Sequence, residues 1–235
     1  MICHKSDFDS IEKTVDVLKR EGVVIIPTDT VYGFSGVVDF TKSKIQKIKG
    51  RDENKPFIQL ISKPEDILAI SKDKIPEKLL KYWPGPLTII MPRGDKIPNV
   101  VSAGLDTVAV RMPSSPIAQE VISVSGLPLA APSANLSGSP SPTTANHVLN
   151  DLDGKIDAVL MGEDCDVGVE STVITLVGEH PVLLRPGAVT LEQLKEILPD
   201  ITVDKAVLSE LEEGQKAASP GMKYKHYAPE TETFL

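Results

Sequence analysis

Residues 23–36 read VVIIPTDTVYGFSG, an apolar run followed directly by a segment of hydroxyls and glycines that holds one charge, Asp29. Four consecutive apolar residues are too few for a buried helix, and they are typical of a strand in the core of a sheet. The polar segment therefore begins where a buried strand ends. Because open α/β sheets bind ligands in the crevice beyond their strand ends, this junction is a candidate binding site.

Strand and helix patterns alternate along the first half of the chain, which predicts an α/β fold with some parallel pairing. Further strands are predicted at residues 57–61, 87–91, 108–112, 129–131, 158–161, 172–177 and 182–184. Helices are predicted at residues 41–49, 65–71, 77–82, 117–124, 144–149 and 191–198. Another helix contains Ile11, Val15 and Leu18, with Asp9 and Glu12 as a capping box and Gly22 as its C′ glycine. We expect one twisted mixed sheet with flanking helices and an antiparallel hairpin within residues 172–184.

Composition limits the class of protein. The 235 residues are 41% hydrophobic and 25% charged, a length and mix that support one globular α/β domain and a tail, or two small domains. No apolar run reaches 18 residues, the N-terminus lacks a secretory pattern, and the two cysteines are far apart, so we expect a cytoplasmic protein without disulfides or membrane contact. Residues 202–222 lose periodicity and gain charge, glycine and proline, which predicts a linker or tail.

The charge distribution is uneven. Net charge is −8, whereas dedicated nucleic-acid binders are usually basic. Residues 42–55 nevertheless hold six basic residues against two acidic ones. Such a local positive field suits a small anion in a site, and the alternatives are a solvated helix face or an RNA-binding module.

The usual nucleotide and hydrolase motifs are absent from the sequence, and the four histidines are scattered, so neither a phosphate loop, a catalytic triad nor a resident metal site is expected. Polar loops at predicted strand ends remain as candidates. They are residues 28–33, 49–51 with 55–56, 107–111, 132–141, and 169–172 with 185–187. Arg111 is a notable member, because an arginine between apolar strand residues is costly unless it is paired; the alternative is a structural ion pair. The segment WPGP at 83–86 is predicted to be a rigid turn outside the site, with Trp83 in the core.

Taken together, these stretches resemble the L-threonylcarbamoyladenylate synthase family, which is built on the YrdC-like domain. The matching motifs are PTDTVYG, KGRDENKPF, WPGPLTII, AGLDTVAVRMP, APSANLSGSPSPT, GVESTVI and VLLRPG, in the family's order over roughly residues 8–200. The segment SPGMKYKHYAP at 219–229 resembles the linker of the two-domain members. The resemblance implies a catalytic YrdC-like domain at residues 1–201 and a linker at 202–235, without the second domain.

The resemblance implies an ATP-dependent nucleotidyltransferase. It would join L-threonine, bicarbonate or CO2, and ATP to give threonylcarbamoyl-AMP and pyrophosphate, with Mg2+ accompanying ATP. A downstream tRNA threonylcarbamoyl transferase would use the product to modify the adenosine next to the anticodon, and tRNA itself would make at most a weak contact. No activated serine or cysteine is needed, because the nucleophile belongs to the substrate.

The family's motifs carry roles onto matching positions of this sequence. Lys49 and Arg51 match its catalytic residues. The implied ATP contacts are Arg51, Lys55, Thr107, Ser133, Asn135, Ser141, Arg185 and, from the tail, His226. The implied threonine contacts are Thr30, Arg111, Ala131 and Ser171.

Two positions depart from the family pattern, and one alternative stays open. Leu60 stands where some members have a histidine near the threonine site, and Lys55 stands where some have asparagine. The alternative is a related enzyme that acts on another carbamoyl substrate. The sequence does not decide whether Thr28 and Asp29 line the site or only hold the turn.

Overall fold

The computed structural model describes residues 1–4, 9–50 and 55–208. Within these ranges, eleven strands form one sheet. The strands are β1 (Ile2–His4), β2 (Val24–Ile26), β3 (Gly33–Val37), β4 (Ile58–Leu60), β5 (Leu87–Pro92), β6 (Thr107–Arg111), β7 (Leu129–Ala130), β8 (Ala158–Met161), β9 (Thr172–Thr175), β10 (Val182–Arg185) and β11 (Thr202–Val203). The helices are α1 (Ser10–Lys19), α2 (Val38–Lys49), α3 (Ile67–Ile70), α4 (Asn99–Ser102), α5 (Pro116–Ser125), α6 (Ala145–Leu152), α7 (Leu191–Lys195) and α8 (Lys205–Leu208), with 3₁₀ turns at Pro64–Asp66 and Glu77–Tyr82.

The sheet is mixed, which confirms the predicted fold class. Its order is β1-β8-β2-β3-β7-β4-β6-β5-β9-β10-β11. β4 pairs with β6, and β5 with β9, in parallel, whereas β5 and β6 are antiparallel. β9 and β10 form the predicted antiparallel hairpin, and β11 adds in parallel beside β10, so regular structure continues past residue 201.

The opening segment contains a strand that the sequence did not predict. β3 pairs antiparallel with β2, so the hydroxyl-rich stretch is the turn of a hairpin. Its glycines hide the strand pattern, yet Gly36 is required here because a Cβ would collide with the Thr41 side chain of α2. The turn that remains is confined to residues 27–32.

The two faces of the central strands pack against different groups of residues. Val110 and Ile89 point into the larger core, which also holds Phe34, Phe57 and Trp83. On the opposite face, residues of α1 and α5 pack with Val24, Ile26 and Leu160. That cover does not extend over β6, β5 and β9, where a cleft opens to solvent.

The observed helix ends confirm some of the predicted caps and contradict others. α2 ends at Gly50, which has a φ of 62°, and α5 ends at Gly126, with a φ of 61°, as the predicted glycine stops require. The capping box at α1 was wrong, because the Asp9 side chain makes no capping hydrogen bond. The positive φ after α1 belongs to Glu21 and not to Gly22, whose close contact with Val17 explains the glycine instead.

Among the described residues, no helix combines the length and the apolar character needed to cross a membrane.

Candidate functional site

The cleft lies over the ends of the central strands and holds about 460 Å³ of space, part of it open to solvent. Its lining residues are Thr30, Val31, Pro56, Phe57, Ile58, Arg111, Ala131, Pro132, Ser133, Glu170, Ser171 and Arg185. Two arginines and several hydroxyls converge there, so the cleft suits a polar ligand that carries negative charge.

Arg111 is the buried cation of the cleft. It ends β6, where strand register places it between Leu60 of β4 and Thr88 of β5. Its guanidinium Nη2 donates to Asp29 Oδ1 at 2.6 Å, Nη1 to Thr30 Oγ1 at 2.6 Å, and Nε to the Gly85 carbonyl at 3.3 Å. Burial lowers the pKa of Arg111, and the charge of Asp29 opposes that shift.

Arg111 still has donors to offer a ligand. A guanidinium carries five N–H groups, and the described residues accept three of them. The structural ion pair and the ligand-binding role, which the sequence left as alternatives, are therefore compatible.

The turn before β3 is held by its own hydroxyls. Thr28 Oγ1 donates to the Val31 carbonyl at 2.6 Å and accepts from the backbone N–H of Thr30 and Val31 at 3.3 Å each. The backbone N–H groups of Val167 and Gly168 donate to the Asp29 and Thr30 carbonyls, each at 3.0 Å. Thr28 therefore holds the turn, and Asp29 holds Arg111; neither is a lining residue of the cleft.

The opposite wall is organised around Ser171. Its Oγ lies 2.7 Å from Thr88 Oγ1, in a buried hydroxyl pair. Arg185 Nη2 donates to Ser171 Oγ at 3.2 Å, and Nε donates to the Ser171 carbonyl at 3.0 Å. Ser171 Oγ thus lies between the Thr88 hydroxyl and the Arg185 guanidinium, from which it accepts a hydrogen bond.

The loop that follows β7 is held from beneath by Lys49. The Lys49 ammonium donates to the Ser133 carbonyl, to the Asn135 carbonyl at 2.6 Å and to Asn135 Oδ1 at 2.9 Å. Asn135 Nδ2 donates to the Leu136 and Ser139 carbonyls at 2.8 Å and 2.7 Å. Ser133 Oγ donates to Asn135 Oδ1 at 2.6 Å. Lys49 and Asn135 therefore shape the loop that presents Ser133 to the cleft.

Ser141, farther along this loop, donates to Glu170 Oε1 at 2.5 Å. This bond ties the loop to the segment before β9, and it places a carboxylate in the cleft wall. Ser141 itself faces a neighbouring surface groove, which it lines together with His147 and Val169.

An apolar hollow of about 440 Å³ adjoins the cleft and shares Pro56, Ile58 and Arg185 with it. Its floor consists of the residues on the same sheet face as Arg111, namely Thr88, Ile90, Thr107, Ala109 and Val173. A flat apolar group with an anionic neighbour matches these surroundings, since Arg185 lies at the junction of the two spaces.

The structure brings together most of the predicted site. Thr30, Arg111, Ala131 and Ser171, the predicted threonine contacts, all line the cleft, as do Ser133 and Arg185 from the ATP set. Thr107 lines the adjoining hollow, and Lys55 precedes the lining residue Pro56. Lys49 and Asn135 lie behind the loop and are buried. Arg51 and His226 lie outside the described residues.

Sequence reasoning missed three parts of the site. Thr88 stands in the quoted motif WPGPLTII but was not assigned a role, and the register of β5 places it beside Arg111. Glu170 stands in the quoted motif GVESTVI but was not assigned a role. The WPGP turn was left out of the site; Trp83 is buried as predicted, yet the Gly85 carbonyl accepts from Arg111.

Cys165 lies beside the turn at residues 27–32, near Thr28 and Asp29, but it is not a candidate nucleophile. Burial raises the pKa of Cys165 to about 12, and the charge of Asp29 also raises it. The thiolate is the reactive form, and both pH 7.5 and pH 9 lie well below this pKa. We therefore expect alkylation of the folded protein by iodoacetamide to be slow at pH 7.5 and still to be rising steeply, about 30-fold, by pH 9. Mass spectrometry of the Cys165 peptide measures this, with urea-unfolded protein as the reactive control. Rapid alkylation of the folded protein at pH 7.5 would contradict the shift.

Two family models match the chain. The model for Sua5, YciO and YrdC proteins, described as telomere recombination, matches residues 16–187. The model for the C-terminal domain of threonylcarbamoyl-AMP synthase matches residues 189–235. The two matches meet near the start of α7.

Curated relatives carry the name threonylcarbamoyl-AMP synthase. The protein of that name from Bacillus subtilis (strain 168) is 45% identical over 225 residues, which cover 93% of this chain and 64% of the relative. The one from Pyrococcus abyssi (strain GE5 / Orsay) is 44% identical over 223 residues, with coverages of 92% and 65%. The chain therefore spans less than two thirds of the length of these relatives.

Solved structures agree on the fold. The crystal structure of P. abyssi Sua5 complexed with L-threonine has a TM-score of 0.90 and 40% identity, and the match covers 97% of this chain and 69% of that one. The crystal structure of E. coli YciO has a TM-score of 0.70 at 23% identity, a likeness of fold alone. Since the first family model matches most of its residues, this chain belongs to the Sua5/YciO/YrdC family.

Proposed function

We propose that the protein is an L-threonylcarbamoyladenylate synthase, which condenses L-threonine, bicarbonate or CO2, and ATP to threonylcarbamoyl-AMP and pyrophosphate. One observation carries the proposal: a buried, oriented Arg111 lies among hydroxyls at one end of a cleft whose other end is an apolar hollow beside Arg185. The first end suits an amino-acid carboxylate, and the second suits a nucleotide. The P. abyssi structure with L-threonine supports this choice of amino acid.

Threonine is assigned to the end around Arg111. The two remaining guanidinium donors take the carboxylate, and Thr30 and Ser171 offer hydroxyls to the polar groups of the substrate. The Ala131 N–H already donates to the Ile58 carbonyl at 3.0 Å, so Ala131 contributes its carbonyl, an acceptor for the substrate amine. Leu60, paired with Arg111 across the sheet, adds an apolar contact only.

ATP is assigned to the end around Arg185. The base and ribose occupy the hollow at Thr107, while Arg185, Lys55 and Ser133 face the phosphates, and Ser141 holds the loop edge. Lys49 acts in catalysis through the loop it supports. Arg51 and, from the tail, His226 retain the contacts with ATP that their motif positions imply.

The chemistry needs positioning more than an enzyme nucleophile. The threonine ammonium and bicarbonate give a carbamate, one water and one proton. A carbamate oxygen then attacks the α-phosphorus, and pyrophosphate leaves. The two arginines hold two anionic reactants in one cleft and stabilise the charge that develops on the phosphate oxygens.

Mg2+ fits this site as a companion of ATP. The described residues contain no cluster of three or more His, Cys, Asp or Glu that could hold a metal by themselves. Mg2+ commonly binds through one or two carboxylates together with substrate phosphates, and Glu170 supplies a carboxylate in the cleft wall. Glu170 would hold the ion, which would neutralise phosphate charge.

The wider role follows from the product. We propose that residues 1–201 form the catalytic domain and that 202–235 form a linker. A tRNA threonylcarbamoyl transferase would consume the product, in the cytoplasm, with at most weak tRNA contact by this chain.

The test is pyrophosphate release. We expect the protein to release pyrophosphate from ATP only when both L-threonine and bicarbonate are present, because the attacking oxygen is made from both. A coupled phosphate assay measures the rate, and mass spectrometry identifies threonylcarbamoyl-AMP.

Serine, glycine and ammonia serve as controls for the amine substrate. Release without threonine would overturn the proposal, and faster release with another amine would support an enzyme for a different carbamoyl substrate.

A further inference from the structure

Asp29 is buried beside the cleft, and the reaction proposed above assigns it no role. Its side chain is 4% exposed, and it touches the cleft only through Arg111. Oδ1 accepts from Arg111 Nη2 at 2.6 Å and from the Ser114 backbone N–H at 3.1 Å. Oδ2 is buried and has no hydrogen-bond partner among the described residues.

Burying the Asp29 carboxylate in this way lowers the stability of the fold more than a structural contact requires. A buried carboxylate oxygen without a partner carries a desolvation cost, and a hydrophobic pair of similar volume usually stabilises a fold at least as well. The charge of Asp29 compensates the buried Arg111 guanidinium, and its position also bears on how that guanidinium is oriented.

The partner's orientation matters because the guanidinium is planar. Asp29, Thr30 and the Gly85 carbonyl take one hydrogen each from Nη2, Nη1 and Nε. Three contacts from two chain segments, the turn with Asp29 and Thr30 and the turn with Gly85, fix the plane and leave one N–H on each of Nη1 and Nη2. A carboxylate has two oxygens that can accept from such a pair of donors.

We propose that Asp29 is a positioning residue for amino-acid binding: it fixes Arg111 so that the guanidinium presents a preset pair of donors to the substrate carboxylate. The inference rests on the proposed function, since it names Arg111 as the anchor of the threonine carboxylate. It assigns Asp29 no contact with threonine, ATP or the reacting atoms.

Asp29→Asn isolates the charge. The amide oxygen can still accept from Arg111 Nη2 and from the Ser114 N–H, but a neutral acceptor holds the guanidinium roughly half as strongly as a carboxylate does, so Arg111 is no longer firmly oriented. We expect the threonine KM to rise at least tenfold, while the ATP KM changes less than twofold.

Asp157→Asn is the matched control. Asp157 also accepts from a buried backbone N–H, that of Val23 at 2.7 Å, and also pairs with a cation, Lys44, but it lies away from the cleft. Its variant is expected to lower the melting temperature and to leave both KM values unchanged. Equal shifts of the threonine KM in both variants would reduce Asp29 to a structural role.

A double-mutant cycle tests whether Asp29 acts through Arg111. In an Arg111→Ala background, Asp29→Ala is expected to change the threonine KM less than twofold, because nothing is left to orient. Removing both charges also leaves no unpaired buried ion, so the double variant is expected to melt higher than either single one. A full additional loss from Asp29→Ala in that background would overturn the inference.

Threonine binding is also followed without catalysis, by the rise in melting temperature that threonine causes. If the wild-type protein shows neither this rise nor threonine-dependent pyrophosphate release, the proposed function fails. If the wild-type protein shows both and Asp29→Asn matches it, the proposed function stands and the role of Asp29 fails.

Discussion

Arg111→Ala is expected to raise the threonine KM about 100-fold. The variant removes two charge-assisted hydrogen bonds to the carboxylate, and a hydrogen bond to a charged group contributes about 1.5–3 kcal/mol. A net loss of about 3 kcal/mol corresponds to roughly two decades in affinity. The ATP KM is expected to change far less, because Arg185 and the hollow lie at the other end of the cleft.

The same variant is expected to be destabilised. It leaves Asp29 as an uncompensated buried charge, a change that costs about 3–5 kcal/mol. Urea denaturation measures that loss, and initial rates over a grid of threonine and ATP concentrations separate the two KM values.

Two further variants make the result decisive. Arg111→Lys keeps the charge and loses the fork, so it is expected to fold better and still bind threonine poorly. Arg93→Ala removes an arginine that pairs with Asp106 outside the cleft, and it is expected to leave the threonine KM unchanged. Equal rises of the threonine and ATP KM values in Arg111→Ala would contradict the assignment of Arg111 to threonine.

Lys49→Met is expected to lower kcat about 100-fold and stability by about 3 kcal/mol. The ammonium is the donor to two carbonyls and the Asn135 side chain, and each buried acceptor that loses its donor costs about 1–3 kcal/mol. The loop then no longer holds Ser133 at the cleft. Steady-state kinetics and urea denaturation measure the two losses.

Lys49→Arg distinguishes support of the loop from direct neutralisation of phosphate. An arginine keeps the positive charge, but its planar fork does not fit three acceptors arranged around one nitrogen. We expect Lys49→Arg to be impaired nearly as much as Lys49→Met, and recovery of most of the activity would argue for a direct charge on the phosphates. Lys47→Met, on the exposed side of the same helix, is the control and is expected to be near neutral.

The sequence predicted much of this site because its signals are local. A buried strand ends at Pro27, an arginine interrupts the apolar pattern of β6, and proline, serine and glycine mark the loop after β7. The stretches that these local signals marked as candidates contribute residues to one cleft. The four threonine contacts, which the family resemblance implied, also line it.

The parts of the site and fold that the sequence did not predict depend on partners that are distant in sequence. Asp29 and Arg111 are 82 residues apart, and Thr88 and Ser171 are 83 apart, so their pairing exists only once the order and register of the sheet are set. The strand β3 was missed because Gly33 and Gly36 lower its strand propensity, and its neighbours impose the extended form. The contacts of Lys49 also depend on distant partners: its motif position matches a catalytic residue of the family, and the fold directs its ammonium at Ser133 and Asn135.

The position of Arg111 within the strand ladder has a consequence for the entropy of binding. Backbone pairing with β4 and β5 fixes its Cα, and three hydrogen bonds fix its side chain, before any substrate arrives. An arginine on a surface loop would lose rotamer freedom when it closes on a carboxylate, at a cost of about 0.5–1.5 kcal/mol. Folding has already ordered this anchor, so a ligand carboxylate meets a site whose side-chain entropy was lost when the sheet formed.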